Sequence, residues 1–406
     1  MHDATGADRA RRVIEGVLTP SARSDVPPFM VMDVMAAAER IEAAGGQVIH
    51  LEVGQPAAAA PRSAIEAAQA ALQQGRIDYT SALGIPALRE RIARHYREAY
   101  GCAIDASRIV VTTGSSGAFI LAFLSMFEPG DRVAVTVPGY PPYRHILTAL
   151  GCEPVLIETH SETRHALTGE ALLAAHRKTP LQGVLVASPG NPTGTMMSRE
   201  ALTDLIAVAD REGIRFISDE IYHGLDYAFP AVTAAELSPN AVVINSFSKY
   251  FCMTGWRVGW MVVPDALVRP IERLQQNLAI SVPTLSQIAA AAAFDGRAEM
   301  ELVKRGYEEN RQILIAGLPA AGLSDFLPAD GAFYLYADVS KFTDDSFAFA
   351  QRMLQEAHVA ATPGVDFDPL RGRSFVRFSY ARSAADMHEA VARITRWLGQ
   401  QASRLG

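Results

Sequence analysis

Cysteine is scarce in this chain of 406 residues, which holds three, Cys102, Cys152 and Cys252, with no C-x-x-C spacing. A count so sparse and odd gives neither a disulfide framework nor a zinc site, and it suits a reducing compartment. No run of lysine and arginine stands out either. The net charge of -7 argues against nucleic acid as the main partner. Long apolar runs are missing: the longest strongly apolar stretch, Gly117 to Phe127, is too short to cross a bilayer. The N-terminus scatters Asp3, Asp8, Arg9, Arg11 and Arg12 through its first turns and lacks the apolar core of a secretory signal. Low-complexity tracts and internal repeats are absent as well. These absences predict a soluble, cytoplasmic protein with no membrane and no nucleic acid among its partners.

What is present is a globular composition, 49% hydrophobic and 20% charged, in a chain longer than one core supports. Residues 1 to about 30 show no periodicity, and Ser21 to Pro28 reads as an extended arm because proline restricts itself and its predecessor. Val31 to Ala44 reads as a helix ended by Gly45-Gly46, and Val48 to Val53 as a strand leading into Gly54-Gln55-Pro56. Helices follow at Ala64 to Gln74 and from Pro86. From Arg108 the pattern alternates strand and helix, the mark of a mainly parallel sheet covered on both faces. The strands are Ile109–Thr112, Val133–Val137, Pro154–Ile157, Gly183–Ala187, Ile214–Ser218, Val242–Ile244 and Val258–Val263. Helices are expected near Gly169 to Ala175 and over Arg199 to Glu212. Beyond Asp265 come long helical stretches, a strand at Ala332–Tyr336, a helix at Ser346–Ala357, a strand at Arg373–Tyr380 and a last helix at Ala384–Leu398. The fold class expected is α/β: a large domain over 61–295 with a seven-stranded, mainly parallel sheet flanked by helices. A smaller α+β domain is expected over 296–406, joined by the N-terminal arm and segment 1–60.

The chemistry gathers around Ile244 to Trp260, I-N-S-F-S-K-Y-F-C-M-T-G-W-R-V-G-W. A lysine, Lys249, lies there between two apolar strands, where a buried ammonium must be neutralised or paired. It reads as a solvated loop lysine or as an amine held in a Schiff base, with Ser246, Ser248 and Arg257 around a phosphate. In open α/β sheets ligands bind beyond the carboxyl ends of the strands. Here strand after strand is followed by a distinctive residue: the small-residue turn 114–117, Tyr140, Ser188-Pro-Gly-Asn191, Asp219 with Tyr222, and Lys249. The turn 114–117 opens a helix, whose N-terminus can hold an anion. Each has a plain alternative: a helix cap at 114–117, a β-turn at Asn191, a cap at Asp219, a turn at Gly54. Five such residues at one sheet edge favour a shared site. The set suits pyridoxal phosphate, which needs an amine for its aldehyde, a carboxylate at its ring nitrogen, donors to its ring oxygen and an anion site.

In order along the chain, L-E-V-G-Q-P (51–56), Y-T-S-A-L-G-I-P-A-L-R-E (79–90), T-G-S-S-G-A (113–118), P-G-Y-P-P-Y (138–143), S-P-G-N-P-T-G (188–194), S-D-E-I-Y (218–222), S-F-S-K-Y-F-C-M-T-G-W-R-V-G (246–259) and V-R-F-S-Y-A (376–381) resemble the fold-type I pyridoxal phosphate enzymes, and among them the class I/II aminotransferases. The resemblance runs from about Val31 to the C-terminus. It implies that Lys249 carries the cofactor and then acts as acid–base. Asp219 pairs with the ring nitrogen, and Tyr222 and Asn191 hydrogen-bond the ring oxygen. Tyr140 stacks on the ring, while Ser115, Ser116, Ser246, Ser248 and Arg257 bind the phosphate. Tyr79 joins them from the other subunit of a homodimer with shared active sites. Arg377 takes the substrate α-carboxylate, with Asn191 and Gly54 beside it. The substrates implied are an amino acid and a 2-oxo acid such as 2-oxoglutarate or pyruvate. Two departures narrow them: one subgroup of aspartate aminotransferases carries histidine where this chain has Tyr143, and another carries lysine where it has Ser116. Without that lysine the donor expected is neutral or aromatic. Aspartate transamination and a cystathionine-lyase-like β-elimination are the alternatives. A ligand-sensing regulator needs a DNA-binding domain for which the residues before Val31 leave no room.

Overall fold

The structure is a computed structural model that describes residues 19–75 and 77–405. Residues 1–18, the first part of the aperiodic segment, lie outside the described residues. From Ser21 the arm makes a single 3-10 turn, Ala22–Ser24, and then runs extended to Phe29, where the helix Met30–Ala43 begins.

Among the described residues twelve strands form three sheets. In chain order they are β1 (Ile49–His50), β2 (Ile109–Thr112), β3 (Arg132–Val137), β4 (Glu153–Glu158), β5 (Gly183–Ala187), β6 (Arg215–Asp219), β7 (Val242–Ser246), β8 (Gly259–Val262), β9 (Tyr334–Asp338), β10 (Val359–Ala360), β11 (Thr362–Pro363) and β12 (Phe375–Ser379). The large sheet has the order β2-β8-β7-β6-β5-β3-β4, and only β8 runs against its neighbours. Its strands are short and almost wholly apolar because helices cover both faces. Alternate residues feed the two layers: Val110, Val133, Leu185, Ile217 and Ile244 pack with Phe119 and Phe123, whereas Val111, Val184 and Val243 pack with Leu88, Ile92, Leu202 and Leu205. The helix Gly114–Met126 is apolar on nearly every side because it lies against the sheet.

The second unit is antiparallel, in the order β11-β12-β9, with Arg377 of β12 opposite Tyr336. The helices Ser346–Ala357 and Ala384–Leu405 pack beside it. A parallel pair, β1 with β10, ties in the N-terminal segment.

The expected fold class holds, and one local expectation changes. The strand expected over Val48–Val53 shrinks to Ile49–His50. Beyond it the Glu52 carbonyl accepts from the side chains of Thr362 and Arg377 instead of from a strand. The run Pro-Pro-Tyr at 141–143 opens a helix, Pro141–Ala149, because proline is pre-set for a helix's first turn, where its missing N–H costs nothing.

Candidate active site

Strands β5, β6 and β7 end side by side, with Ala187 opposite Asp219 and Asp219 opposite Ile244. This register brings the segments after each strand to one edge. A cavity of about 220 Å³ opens there, lined by Gly54, Ser115, Ser116, Tyr140, Asn191, Asp219, Tyr222, Ser248, Lys249, Arg257 and Arg377. Of the thirteen residues singled out in the sequence, Ser246 and Tyr79 do not line it. Ser246 is buried behind Ser248, sharing a 2.9 Å hydroxyl contact with it and accepting its N–H at 3.1 Å. Tyr79 lies on the surface of this protomer, 82% exposed.

The Lys249 ammonium donates to the Gly54 carbonyl at 2.6 Å. Burial, then the Arg377 and Arg257 guanidiniums, lower its pKa from 10.5 to about 8, against the pull of Asp219. At neutral pH roughly one amine in ten is then uncharged, against fewer than one in a thousand for a free lysine. A neutral amine can attack a carbonyl or accept a proton.

Asp219, the last residue of β6, is buried at the floor. The Tyr143 hydroxyl donates to its Oδ2, and the Ile221 N–H donates to Oδ1 at 3.0 Å. Burial raises its pKa to about 6, while the two donors and Lys249 hold it down. It therefore stays largely ionised at neutral pH and can face a cation. Tyr143 occupies the position that carries histidine in one aspartate aminotransferase subgroup, and here it is the carboxylate's donor.

At the opposite end, the helix Gly114–Met126 begins without a side-chain cap, which leaves its first amides unclaimed by any cap. Gly114 has φ +67°, and a Cβ there would lie 2.5 Å from Nη2 of Arg257. The missing side chain is what admits the guanidinium. Arg257 itself has φ +50° and is held by the Thr254 carbonyl at 3.0 Å. Helix amides, Ser115, Ser116, Ser248 and a guanidinium make an anion cradle.

Arg377 is 1% exposed, and among the described residues no carboxylate lies within ion-pair distance of it, although Asp366 feels its charge. Nη1 donates to Asn191 Oδ1 at 2.7 Å, and Nη2 donates to the Glu52 carbonyl and to Thr362 Oγ1. Nε is buried without a partner. The rings of Tyr334 and Phe367 flank the guanidinium, at 4.3 and 4.6 Å. A buried, stacked cation without a counter-ion is suited to an anionic ligand.

Sequence reasoning missed Tyr334. Its hydroxyl meets that of Tyr222 at 2.7 Å, and its ring covers Arg377. A Cβ at Gly54 would fall 1.7 Å from that hydroxyl, so close approach is why glycine stands there. The signal was an aromatic strand paired with the strand carrying Arg377. Also missed was the apolar part of the wall, formed by Phe29, Val31, Met32, Val53 and Ile221. Isolated apolar residues in separate segments gave no sign of it.

Comparison with known proteins agrees with this geometry. The family described as aminotransferase class I and II matches residues 46–394. The valine–pyruvate aminotransferase of Mycobacterium tuberculosis is 49% identical over 93% of this chain and 98% of its own length. The aspartate/prephenate aminotransferase of Thermus thermophilus is 32% identical, over 92% and 97%. A crystal structure of an aminotransferase from Mycobacterium tuberculosis superposes with a TM-score of 0.92 at 48% identity, covering 94% of this chain and 99% of that one.

Proposed function

The chain belongs to the class I and II aminotransferases, and from that membership we propose how its residues divide the work of moving an amino group between an amino acid and a 2-oxo acid. The cofactor is pyridoxal 5′-phosphate, whose ring, when bound, accepts the electron pair released as a proton leaves the substrate Cα. The residues present fit it. A cradle that a Cβ at Gly114 would fill suits the phosphate, with Ser115, Ser116, Ser248 and Arg257 as ligands and Ser246 behind Ser248. Lys249 would hold the aldehyde carbon, Asp219 would pair with the ring nitrogen, and Tyr222 and Asn191 would hydrogen-bond the ring oxygen. Tyr140 covers the ring and excludes water.

With the cofactor bound, the Lys249 amine would take the Cα proton and later return it. Its lowered pKa supports that role. Asp219, ionised and held by Tyr143, keeps the ring nitrogen protonated. Arg377 takes the substrate α-carboxylate in a bidentate pair, with Asn191 and Gly54 beside it. The observation that carries this reading is the single cavity shared by Lys249, Asp219, the anion cradle and an arginine without a counter-ion.

The preferred donor is a neutral amino acid, aliphatic or aromatic, and the acceptor is a 2-oxo acid such as 2-oxoglutarate or pyruvate. Among the described residues the cavity wall offers no cation apart from Lys249, Arg257 and Arg377, and Phe29, Val31, Met32, Val53 and Ile221 make part of it apolar. A second carboxylate buried there unpaired would cost several kcal/mol. The relative named for valine and pyruvate points the same way. The working unit is a homodimer. Tyr79, Ile77, Leu72, Leu278 and Ile280 are exposed, and the segments carrying them are tied together by Thr80 N–H to Ser281 and by Thr284 to the Asp78 carbonyl. An apolar surface of that kind suits a partner, to whose cradle Tyr79 would reach. Three free cysteines suit the cytoplasm.

A panel of donors assayed with 2-oxoglutarate and with pyruvate tests the substrate reading. Valine, alanine, methionine or phenylalanine should exceed aspartate in kcat/KM. An aspartate value at least about tenfold above all of them would reject it, since tenfold is ~1.4 kcal/mol of preference for the charged side chain.

A further inference from the structure

Beside Asp219 the chain buries a second carboxyl group, Glu220, 1% exposed, which the transamination chemistry does not use. Its Oε1 accepts the Ala234 N–H at 2.8 Å and the Ser218 hydroxyl at 3.1 Å. Oε2 makes no hydrogen bond and lies 3.4 Å from Nδ1 of His223. The tautomer of that imidazole is fixed by its other nitrogen. Nε2 is 3.0 Å from the carbonyl oxygen of Ser188, which can only accept, so Nε2 carries a hydrogen. In the neutral ring Nδ1 is then a lone pair, and the Tyr100 hydroxyl donates to it at 2.9 Å.

A carboxylate at Glu220 would hold Oε2 against that lone pair, buried, with only the neutral donors Ala234, Ser218 and Thr233 around the group. A carboxylic acid would remove that charge and turn a hydroxyl toward the same nitrogen, sharing its one lone pair with the Tyr100 hydroxyl. The other way to satisfy the pair, an imidazolium with an ionised Glu220, buries two charges where no lysine or arginine pairs with Glu220 among the described residues. Facing Glu220 are Ser218 and Asp219 at the end of β6, Thr233 and Ala234, the hydroxyls of Tyr96 and Tyr100, and the Cys102 thiol. None of these carries positive charge. Burial raises the Glu220 pKa to about 8 and lowers that of His223 to about 4, both toward neutrality.

We propose that Glu220 is a neutral carboxylic acid in the working enzyme and a positioning residue for Asp219. It fastens the end of β6 to Ala234 and, through His223, to the Ser188 segment that leads to Asn191, leaving Asp219 as the single negative charge at the strand end. The link to catalysis rests on the proposed role of Asp219, whereas the protonation state stands without it.

Glu220→Gln mimics the acid, with an oxygen for Ala234 and an amide donor for His223, whereas Glu220→Asp keeps the acidic group but is too short to reach both. The infrared spectrum of the holoenzyme at pH 7 should contain the carbonyl stretch of a protonated carboxyl group that is lost in Glu220→Gln. Its absence would overturn the proposal, whatever the role of Asp219. Thermal melting gives an independent reading. The folded state keeps a proton that the unfolded chain releases above about pH 4.5, so stability from this group is lost as pH rises toward about 8. Glu220→Gln should therefore gain on the wild type between pH 5 and pH 8 and melt above it at pH 8. A variant melting below wild type throughout would indicate the ion pair with His223 instead. For the positioning role, Glu220→Gln should retain kcat about tenfold or more above Glu220→Asp, the effect of roughly one buried hydrogen bond, at similar KM. Equal losses in both variants would remove that role.

Discussion

The two ends of the active-site cavity are built in opposite ways. The end proposed to hold the cofactor comes from the large sheet alone: the turn after β2, Asp219 at the end of β6, and Ser248, Lys249 and Arg257 between β7 and β8. Each residue follows a strand by a few positions, so strand register sets its place. The end proposed for the substrate is gathered from distant segments, with Phe29 to Met32, Gly54, Tyr334 and Arg377 held by side-chain bonds to backbone carbonyls and by stacked rings. The first end is rigid by inheritance from the sheet. The second depends on contacts between units, which is where a family can vary its substrate while keeping its chemistry.

Variants at each end should therefore fail differently. The largest effect belongs to the cofactor end's floor. Asp219→Ala should keep the cofactor bound but lower kcat by about 10² to 10⁴, the range for a positioned proton-managing group. Turnover within a factor of a few of wild type would show that Asp219 does not govern the ring's charge. Next comes the substrate end. Arg377→Lys should lower kcat/KM by ~30- to 1000-fold, about 2–4 kcal/mol, while the absorbance of bound cofactor stays unchanged. A loss of cofactor in that variant would mean the two ends are not separable. The smallest effect is expected at the cradle. Gly114→Ala forces a side chain into a left-handed backbone against Arg257, so cofactor affinity should fall by about tenfold or more with donor KM nearly unaltered. Equilibrium dialysis of the cofactor and a donor titration read the two quantities apart.

The same contrast explains what the sequence displayed. The bounds of β2, β5, Arg199–Glu212 and Ser346–Ala357 coincide with the sequence reading, because apolar period and capping act locally there. The cofactor-end candidates were visible as residues following strands. Tyr334 was not visible, because its meaning lies in its contacts with Tyr222 and Arg377, more than 40 residues away in either direction. Nor was the early end of β1, whose expected continuation is replaced by side chains donating to the Glu52 carbonyl. Tyr79 shows a third situation: a residue legible from its motif whose proposed work needs a second copy of the chain.

At the centre of the account is the assignment of Lys249 as the residue that carries the cofactor. Borohydride reduction of the purified, yellow holoenzyme, followed by peptide mapping, tests it most directly. The account predicts one pyridoxyl group per protomer, on the peptide containing Lys249, and a Lys249→Ala protein that is neither labelled nor active. Label on another lysine, or full turnover by Lys249→Ala, would contradict it.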